Sequence, residues 1–359
     1  MLFVTRWFGV TATDADRDPA REQADIEAIK EKSLLMQANA AAQQHRTLAR
    51  GTHAKGVCAR AEFEVFDVAQ GRDPVLAARL AQGMFAKSGV YPAVVRFGNA
   101  DSKKNSDFKP DVRSMSFSVD LTRGGAVVAD AGYERQDFSM QNTTTLPIND
   151  SPAFLAIVKV LTAGNPLVGL WSLSFKDKLR VVRTLALVQV QSHQAIKPYQ
   201  QLHYGSNVPF RHGPVEVVKF SAIPSADNPA RGLQKQNPNG LQDELARHVQ
   251  EDGKMSTFDF GVQFLDTDRM TYWGKRHDAK FWVENASVVW KESEAPFHKV
   301  ARLTLVKGSH LGVEEAKAVY FDVTGHSSAN STPVGSINRA RALSEAASRA
   351  ARLSAAQHE

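Results

Sequence analysis

Cysteine is almost missing from this chain: Cys58 is the only one in 359 residues. That excludes an intrachain disulfide and a multi-cysteine metal site, and it suits a reducing compartment. The ordinary fate of such a residue is a small buried hydrophobe. Long apolar runs are missing too. The longest window, Pro166–Phe175 between Lys159 and Lys176, falls far short of the ~20 residues that cross a bilayer, so no membrane span is expected. Met1–Val10 is largely apolar but lacks a basic start and runs into Asp14 and Asp16, which is not the pattern of a secretory signal. A cytoplasmic protein is expected. Lys and Arg exceed Asp and Glu by 44 to 38, for a net +6, but no long basic run gathers that charge, and no nucleic acid is expected as a partner. The common local signatures are also absent: no phosphate-cradling Gly-rich loop, no HExxH, no Cys/His metal pair, no GxSxG elbow. Any chemistry must rest on residues brought together by the fold.

What is present is the mix of a globular protein, 43% hydrophobic and 23% charged, long enough for one large domain or two closely packed ones. Residues 19–50 are rich in Ala, Glu, Gln and Lys with no Gly before Gly51, which predicts one long helix or two short ones. The expected organisation is an N-terminal helical arm over 1–49, a candidate for wrapping a neighbour in a homo-oligomer, followed by one domain over 50–359. From Arg60 the period changes to two: Phe63, Val65 and less clearly Asp67 alternate with Glu62, Glu64 and Phe66. Further strands are expected at Ala93–Gly98, Arg113–Val119, Val215–Ala222, Phe258–Leu265, Lys280–Val283 and Val300–Val306. Helices are expected at Pro74–Phe85, at Ser151–Ala163 with Ser151 as N-cap, at Lys176–Ser192, at Asn239–Gln250 and at Ser336–Gln357. Strands first, with helices between and after, give an α+β fold with a mainly antiparallel sheet closed into a β-barrel.

One segment is more specific. Arg50-Gly51-Thr52-His53-Ala54-Lys55-Gly56, leading into a strand, resembles the distal-histidine segment of the catalases. More pieces follow in the same order. Val94-Val95-Arg96-Phe97-Gly98, Asp111-Val112-Arg113 with Ser116-Phe117, and Asp137-Phe138-Ser139-Met140-Gln141-Asn142-Thr143 through Asp150 are similar to successive segments of that family. So are Ala286-Ser287-Val288-Val289-Trp290 to Leu303, and Pro333–Arg341, which looks like the start of the proximal helix in the small catalase-related branch. The resemblance spans about residues 50–352. It implies a catalase-like antiparallel barrel with surrounding helices, haem b as cofactor, and hydrogen peroxide or an organic hydroperoxide as substrate.

The resemblance also implies roles. His53 becomes the distal acid/base, with an ordinary imidazole pKa near working pH. Asn142, or its neighbour Gln141, becomes the distal amide, and Phe154 falls where the family stacks a phenylalanine near the haem. Arg50, Arg96 and Arg352 match positions that pair with haem propionates, a task suited to a guanidinium that stays charged when buried. The departure lies on the proximal side. Arg341 matches the arginine one turn before the family's tyrosine ligand, but four residues on stands Glu345, and no tyrosine follows Tyr320. Glu345 is either a weak anionic axial ligand or the i,i+4 partner of Arg341. Thr52, where the family usually has valine, makes a Thr-His pair like that of relatives that rearrange fatty acid hydroperoxides. The alternative function is a catalase-fold module that has lost haem.

Overall fold

The computed structural model describes residues 18–48, 50–122, 134–230, 232–251 and 255–356. Nine strands form one antiparallel sheet: β1 (Gly56–Val65), β2 (Gly89–Asn99), β3 (Arg113–Asp120), β4 (Arg135–Gln141), β5 (Tyr204–Gly205), β6 (Phe210–His212), β7 (Glu216–Pro224), β8 (Thr257–Phe264) and β9 (Phe297–His310). The order β5-β4-β3-β2-β1-β9-β8-β7 closes on itself through β5–β7 pairing, giving an eight-stranded barrel with β6 attached to β7. Closure removes the free edges an open sheet would expose.

The two-residue period of each strand decides what faces inward. Phe63 and Val65 of β1, Val95 and Phe97 of β2, Met115 and Phe117 of β3, Phe138 and Met140 of β4, Phe220 of β7, Phe260 of β8 and Leu303 of β9 all join one buried cluster. Phenylalanines fill the centre. Phe117 stacks on Phe138 at 4.7 Å between centroids, and Phe63 meets Phe260 edge-on at 5.3 Å. Phe138 meets Phe220 in the same T-shaped way at 5.3 Å. Such offset and edge-to-face contacts add to the area term. The barrel is therefore packed solid.

Helices lie outside it: α1 (Pro19–Gln43), α2 (Pro74–Leu80), α3 (Ser151–Thr162), α4 (Pro166–Trp171), α5 (Phe175–Ser192), α6 (Gly240–Glu251), α7 (Ala279–Glu284), α8 (Val313–Ala318) and α9 (Ser336–Ala356). Ile26 and Ile29 of α1 share a second buried cluster with Leu155, Ile157 and Val181 of α3 and α5 and with Ala340 of α9. The arm helix thus spends its apolar side on its own chain.

Four sequence expectations need correction. Lys280–Val283 is part of helix α7, because Asp278 caps the turn by accepting the Phe281 N–H at 2.9 Å and the aromatic pair Phe281–Trp282 packs with Met270 and Trp290; tertiary packing overrides the strand propensity. The cap of α3 is Asp150, which accepts the Ala153 N–H at 3.0 Å, rather than Ser151. The Pro74–Phe85 pattern ends at Leu80 and resumes as a 3-10 turn at Gly83–Ala86. Asp67 lies beyond the end of β1 and is exposed.

Phe63, with three aromatic neighbours and no exposure, is the test of this core. Phe63→Ala is expected to cost about 3–5 kcal/mol of unfolding free energy, read from urea denaturation midpoints.

Candidate functional site

Since the interior is full, functional side chains must project from the other side of the wall. Across β1–β4 the register lines up two outward rows. Cys58, Arg96, Ser116 and Ser139 stand directly opposite one another in succession, and so do Gly56, Gly98, Ser114 and Gln141. Ser116, Ser118 and Ser139 are only half-buried, so small polar side chains make a partly open floor on β3 and β4. The Ser-x-Ser-x-Ser alternation of 114–118 is its signature in the sequence.

Arg96 lies across the covered end of this floor. A Cβ on Gly56 would come within 2.6 Å of its guanidinium and 2.4 Å of the Phe97 carbonyl, and one on Gly98 within 3.0 Å of the guanidinium and 2.6 Å of the Lys55 carbonyl. The paired glycines are thus the space the arginine occupies. Its Nη2 donates to the His53 carbonyl at 2.8 Å.

The segment bearing His53 is held by backbone pairing just before the start of β1. His53 N–H donates to Ala100 O and Ala54 N–H to Asp101 O, both at 3.1 Å, while Asn99 N–H donates to Lys55 O at 3.2 Å. Lys55, buried, is anchored on Asp107 at 2.8 Å, and Asp107 also accepts from Asn99 Nδ2 at 2.9 Å and from the Leu241 N–H at the start of α6 at 2.9 Å. This clamp holds His53 at φ 54°, a left-handed conformation costly for a residue with a side chain.

Opposite stands α9. Arg341, Glu345, Ser348 and Arg352 recur at helical spacing on one face, and Ser348 Oγ accepts the Gly51 N–H at 3.3 Å. The fields of Arg341 and Arg50 act on His53, and those of Arg96 and Arg352 act on Arg50. The fold therefore gathers Arg50, His53, Arg96, Arg341, Glu345 and Arg352 into one electrostatic cluster. Burial, then the repulsion of Arg96 and Arg352, pulls the Arg50 guanidinium down to about 9. Burial lowers Arg96, and burial with the nearby Arg349 and Arg96 lowers Arg352. His53 falls to about 3 through burial and the charges of Arg96, Arg341 and Arg50, well under the near-neutral value expected from sequence. Cys58 is buried beside Arg96, and burial pushes its thiol up.

The other predicted residues fall out as follows. Glu345 is exposed and its carboxylate accepts from Arg341 Nε at 3.1 Å. Asn142 lies past the end of β4, where its Oδ1 accepts the Arg113 N–H at 2.7 Å and its Nδ2 donates to Gln194 at 3.2 Å; Gln141 sits on the floor row itself. Phe154 on α3 packs against both the barrel core and the helical cluster, and Thr52 is exposed.

A planar dianion can be tested against these residues. The Nδ1 of His53 and the Nε of Arg352 are buried with no hydrogen-bond partner among the described residues, and Glu345, a carboxylate whose field reaches Arg50, is tied to Arg341. Arg50 and Arg96 each give one N–H to a backbone carbonyl, of Val319 and His53, and a buried Arg352 Nε is left over beside a small-residue floor, which fits a ligand with two carboxylates on one edge. For an ion alone the fit is poor: among the described residues no group of three or more His, Cys, Asp or Glu is placed to hold a metal.

The barrel with its helical wrapping is a catalase-like fold. No family model matches the chain, and neither does any curated protein. Among solved structures it is similar to catalase A from Saccharomyces cerevisiae, at 17% identity and a TM-score of 0.59 over 88% of this chain and 63% of that one. A fungal catalase shows 14% identity and a TM-score of 0.59 over 87% and 60%, and a bacterial catalase 15% and 0.57 over 87% and 59%. The chain spans about 60% of the length of these catalases, and at such identities the likeness is one of fold.

The depressed His53 value gives a pH dependence with a definite sign. The unfolded chain protonates His53 near 6.5, the folded one only near 3, so between those values the unfolded state binds more protons and stability falls as pH drops. His53→Gln should flatten the stability–pH curve between pH ~6.5 and ~3 relative to the parent, as followed by urea unfolding across that range. Parallel curves would remove His53 from the group of buried neutral imidazoles.

Proposed function

We propose that the chain is a haem-dependent oxidoreductase of the catalase-related type, acting on hydrogen peroxide or an organic hydroperoxide, with weak catalase and more general peroxidatic activity. The observation that carries this reading is the cluster of Arg50, Arg96 and Arg352 around His53, with buried donors left over. Haem b bound there would supply an iron able to change oxidation state as the peroxide O–O bond breaks.

Everything else falls to the chain. Arg50, Arg96 and Arg352 would bind the two propionates, and the paired charges would offset the cost of burying them. His53, whose pKa burial and the charges of Arg96, Arg341 and Arg50 lower to about 3, would take the proton of a hydroperoxide –OOH and return it to the leaving oxygen as a weaker base than an imidazole near neutrality, in keeping with weak catalase activity. An amide steadies the peroxide. Gln141 lies in the floor row with its Oε1 accepting from Asn207 Nδ2 at 3.2 Å, and it is better disposed for that than Asn142, whose amide is engaged at both ends by Arg113 and Gln194. Phe154 would cover the apolar side of the ligand, and Glu345, released from Arg341, would face the iron as a carboxylate donor weaker than tyrosinate. A second reading, a fold retained as a haem-free binding module, is favoured by one observation: Glu345 is exposed and already paired.

The purified apoprotein titrated with haemin should develop a Soret band at one equivalent. Arg96→Met should weaken the affinity at least tenfold, since one cation of a buried dianion site is worth about 1.5–3 kcal/mol. Absence of any saturable Soret change in the parent would leave the haem-free module.

Glu345 separates the two readings further. Glu345→Tyr places a phenol one turn beyond Arg341, whose charge favours the tyrosinate, so haem affinity and oxygen evolution from hydrogen peroxide should both rise. Glu345→Ala controls for the lost charge. If both variants keep the parent's spectrum and activity, and lose only the ~0.2–0.5 kcal/mol of an i,i+4 pair, the residue is a surface ion-pair partner.

A further inference from the structure

The turn between β2 and β3, residues 100–112, reaches back to the segment that carries His53, and one carboxylate ties its two ends together. Asp111 Oδ1 accepts the Val112 N–H at 2.8 Å, and Oδ2 accepts the Asp101 N–H at 3.1 Å. From these ends the bonds run on to the histidine. Val112 O accepts the Ala100 N–H at 2.9 Å, while Ala100 O accepts the His53 N–H and Asp101 O the Ala54 N–H, both at 3.1 Å. The left-handed φ of 54° at His53 persists for as long as its surroundings over-determine it. Asp111 belongs to those surroundings and acts through the backbone.

The charges around Asp111 compensate it poorly. Arg113, the cation beside it, stays 3.7 Å away at Nη1, and its Nη2 donates instead to the carbonyls of Asp107 at 2.6 Å and Lys109 at 3.2 Å. The Asp101 carboxylate, held by the Lys103 N–H at 2.9 Å and by Asn105 Nδ2 at 2.5 Å, repels it. Around Arg113 lie also Asp107, paired with Lys55, and Tyr199, a phenol that burial keeps neutral. Burial, with the repulsion of Asp101 added, outweighs the two N–H bonds and Arg113 and lifts the Asp111 carboxyl to about 6. In an opened, hydrated turn the same carboxyl would titrate near ~3.9. The closed turn therefore binds the proton more tightly, and closure is favoured most below about pH 4 and least above about pH 6. We infer that Asp111 is a positioning residue for His53, a latch that fastens the 100–112 turn to the histidine's backbone and holds it more firmly when protonated. Its consequence for turnover rests on the haem reading, whereas the latch itself does not.

Amide hydrogen exchange of the full chain, read by mass spectrometry on peptides covering residues 53–54 and 100–101, reports opening of the latch. The parent is compared with Asp111→Asn, an uncharged isostere, at about pH 5 and about pH 7. His53 titrates in both proteins and cancels in their ratio, as do the intrinsic exchange rates. Opening of the parent relative to the variant should be about tenfold greater at the higher pH, the ratio that follows from carboxyl values of about 6 closed and ~3.9 open. Asp111→Ser, smaller and equally uncharged, serves the same comparison if the asparagine variant does not fold. A ratio that is equal at the two pH values, or moves the other way, overturns the inference. So does a change confined to 100–101 that leaves 53–54 unaffected, since Asp111 would then hold its own turn and not the histidine. The exchange is measured without haem, so its outcome is separate from that of the Soret titration.

Discussion

The constraint on which the rest of this molecule depends is that its barrel is full. Once Phe63, Phe117, Phe138, Phe220 and Phe260 have packed the interior, no ligand can enter it, and anything the protein binds must use the outer wall. Strand parity then decides which residues can take part. The same alternation that sends Val95 and Phe97 inward sends Arg96 outward beside Cys58, and the alternation that sends Met115 and Phe117 inward leaves serines outside. The core and the candidate site are two faces of one pattern, and a shift of one residue in β2 would exchange them.

Much of this was legible in the chain. The strands β1, β2, β3, β7, β8 and β9 showed as apolar alternation because each has one face on the core, and the long helices showed through proline at their starts and periodicity along them. What escaped were elements set by neighbours. The pair Tyr204–Gly205 is too short to carry a period, yet it closes the barrel between β4 and β7. Lys280–Val283 has strand-like residues but a cap and an aromatic niche that make it a helix.

The site divides in the same way. His53 and the arginines were visible because the order of several motifs marked them, and the structure gathers those residues in one place. The proton affinity of His53 was not visible, since it depends on charges 43 and nearly 300 residues away meeting the imidazole in a buried setting. Nor could the sequence decide between Gln141 and Asn142. They differ by one position, but that position is where β4 ends, so one side chain stays on the floor and the other turns back to finish the ladder at Arg113.

The arginine cluster is also a thermodynamic statement about the ligand-free chain. Burial comes first, and then Arg96 and Arg352 lower Arg50 while Arg349 and Arg96 lower Arg352; the carboxylate in reach, Glu345, is shared with Arg341 and lies out toward solvent. Folding brings these charges together at a cost the sequence could remove by exchanging one arginine for methionine, as buried ion clusters are often exchanged for apolar residues without loss. What keeps that cost in place is the clamp of Lys55 on Asp107 and the glycine pair that makes room for Arg96. Among the described residues a glycine pair, a left-handed histidine and an anchored lysine thus hold cations that only Glu345 partly offsets, an arrangement that would suit the anion of the proposed site. Whatever binds there should stabilise the fold in proportion to its affinity, because it relieves repulsion that only the folded chain contains.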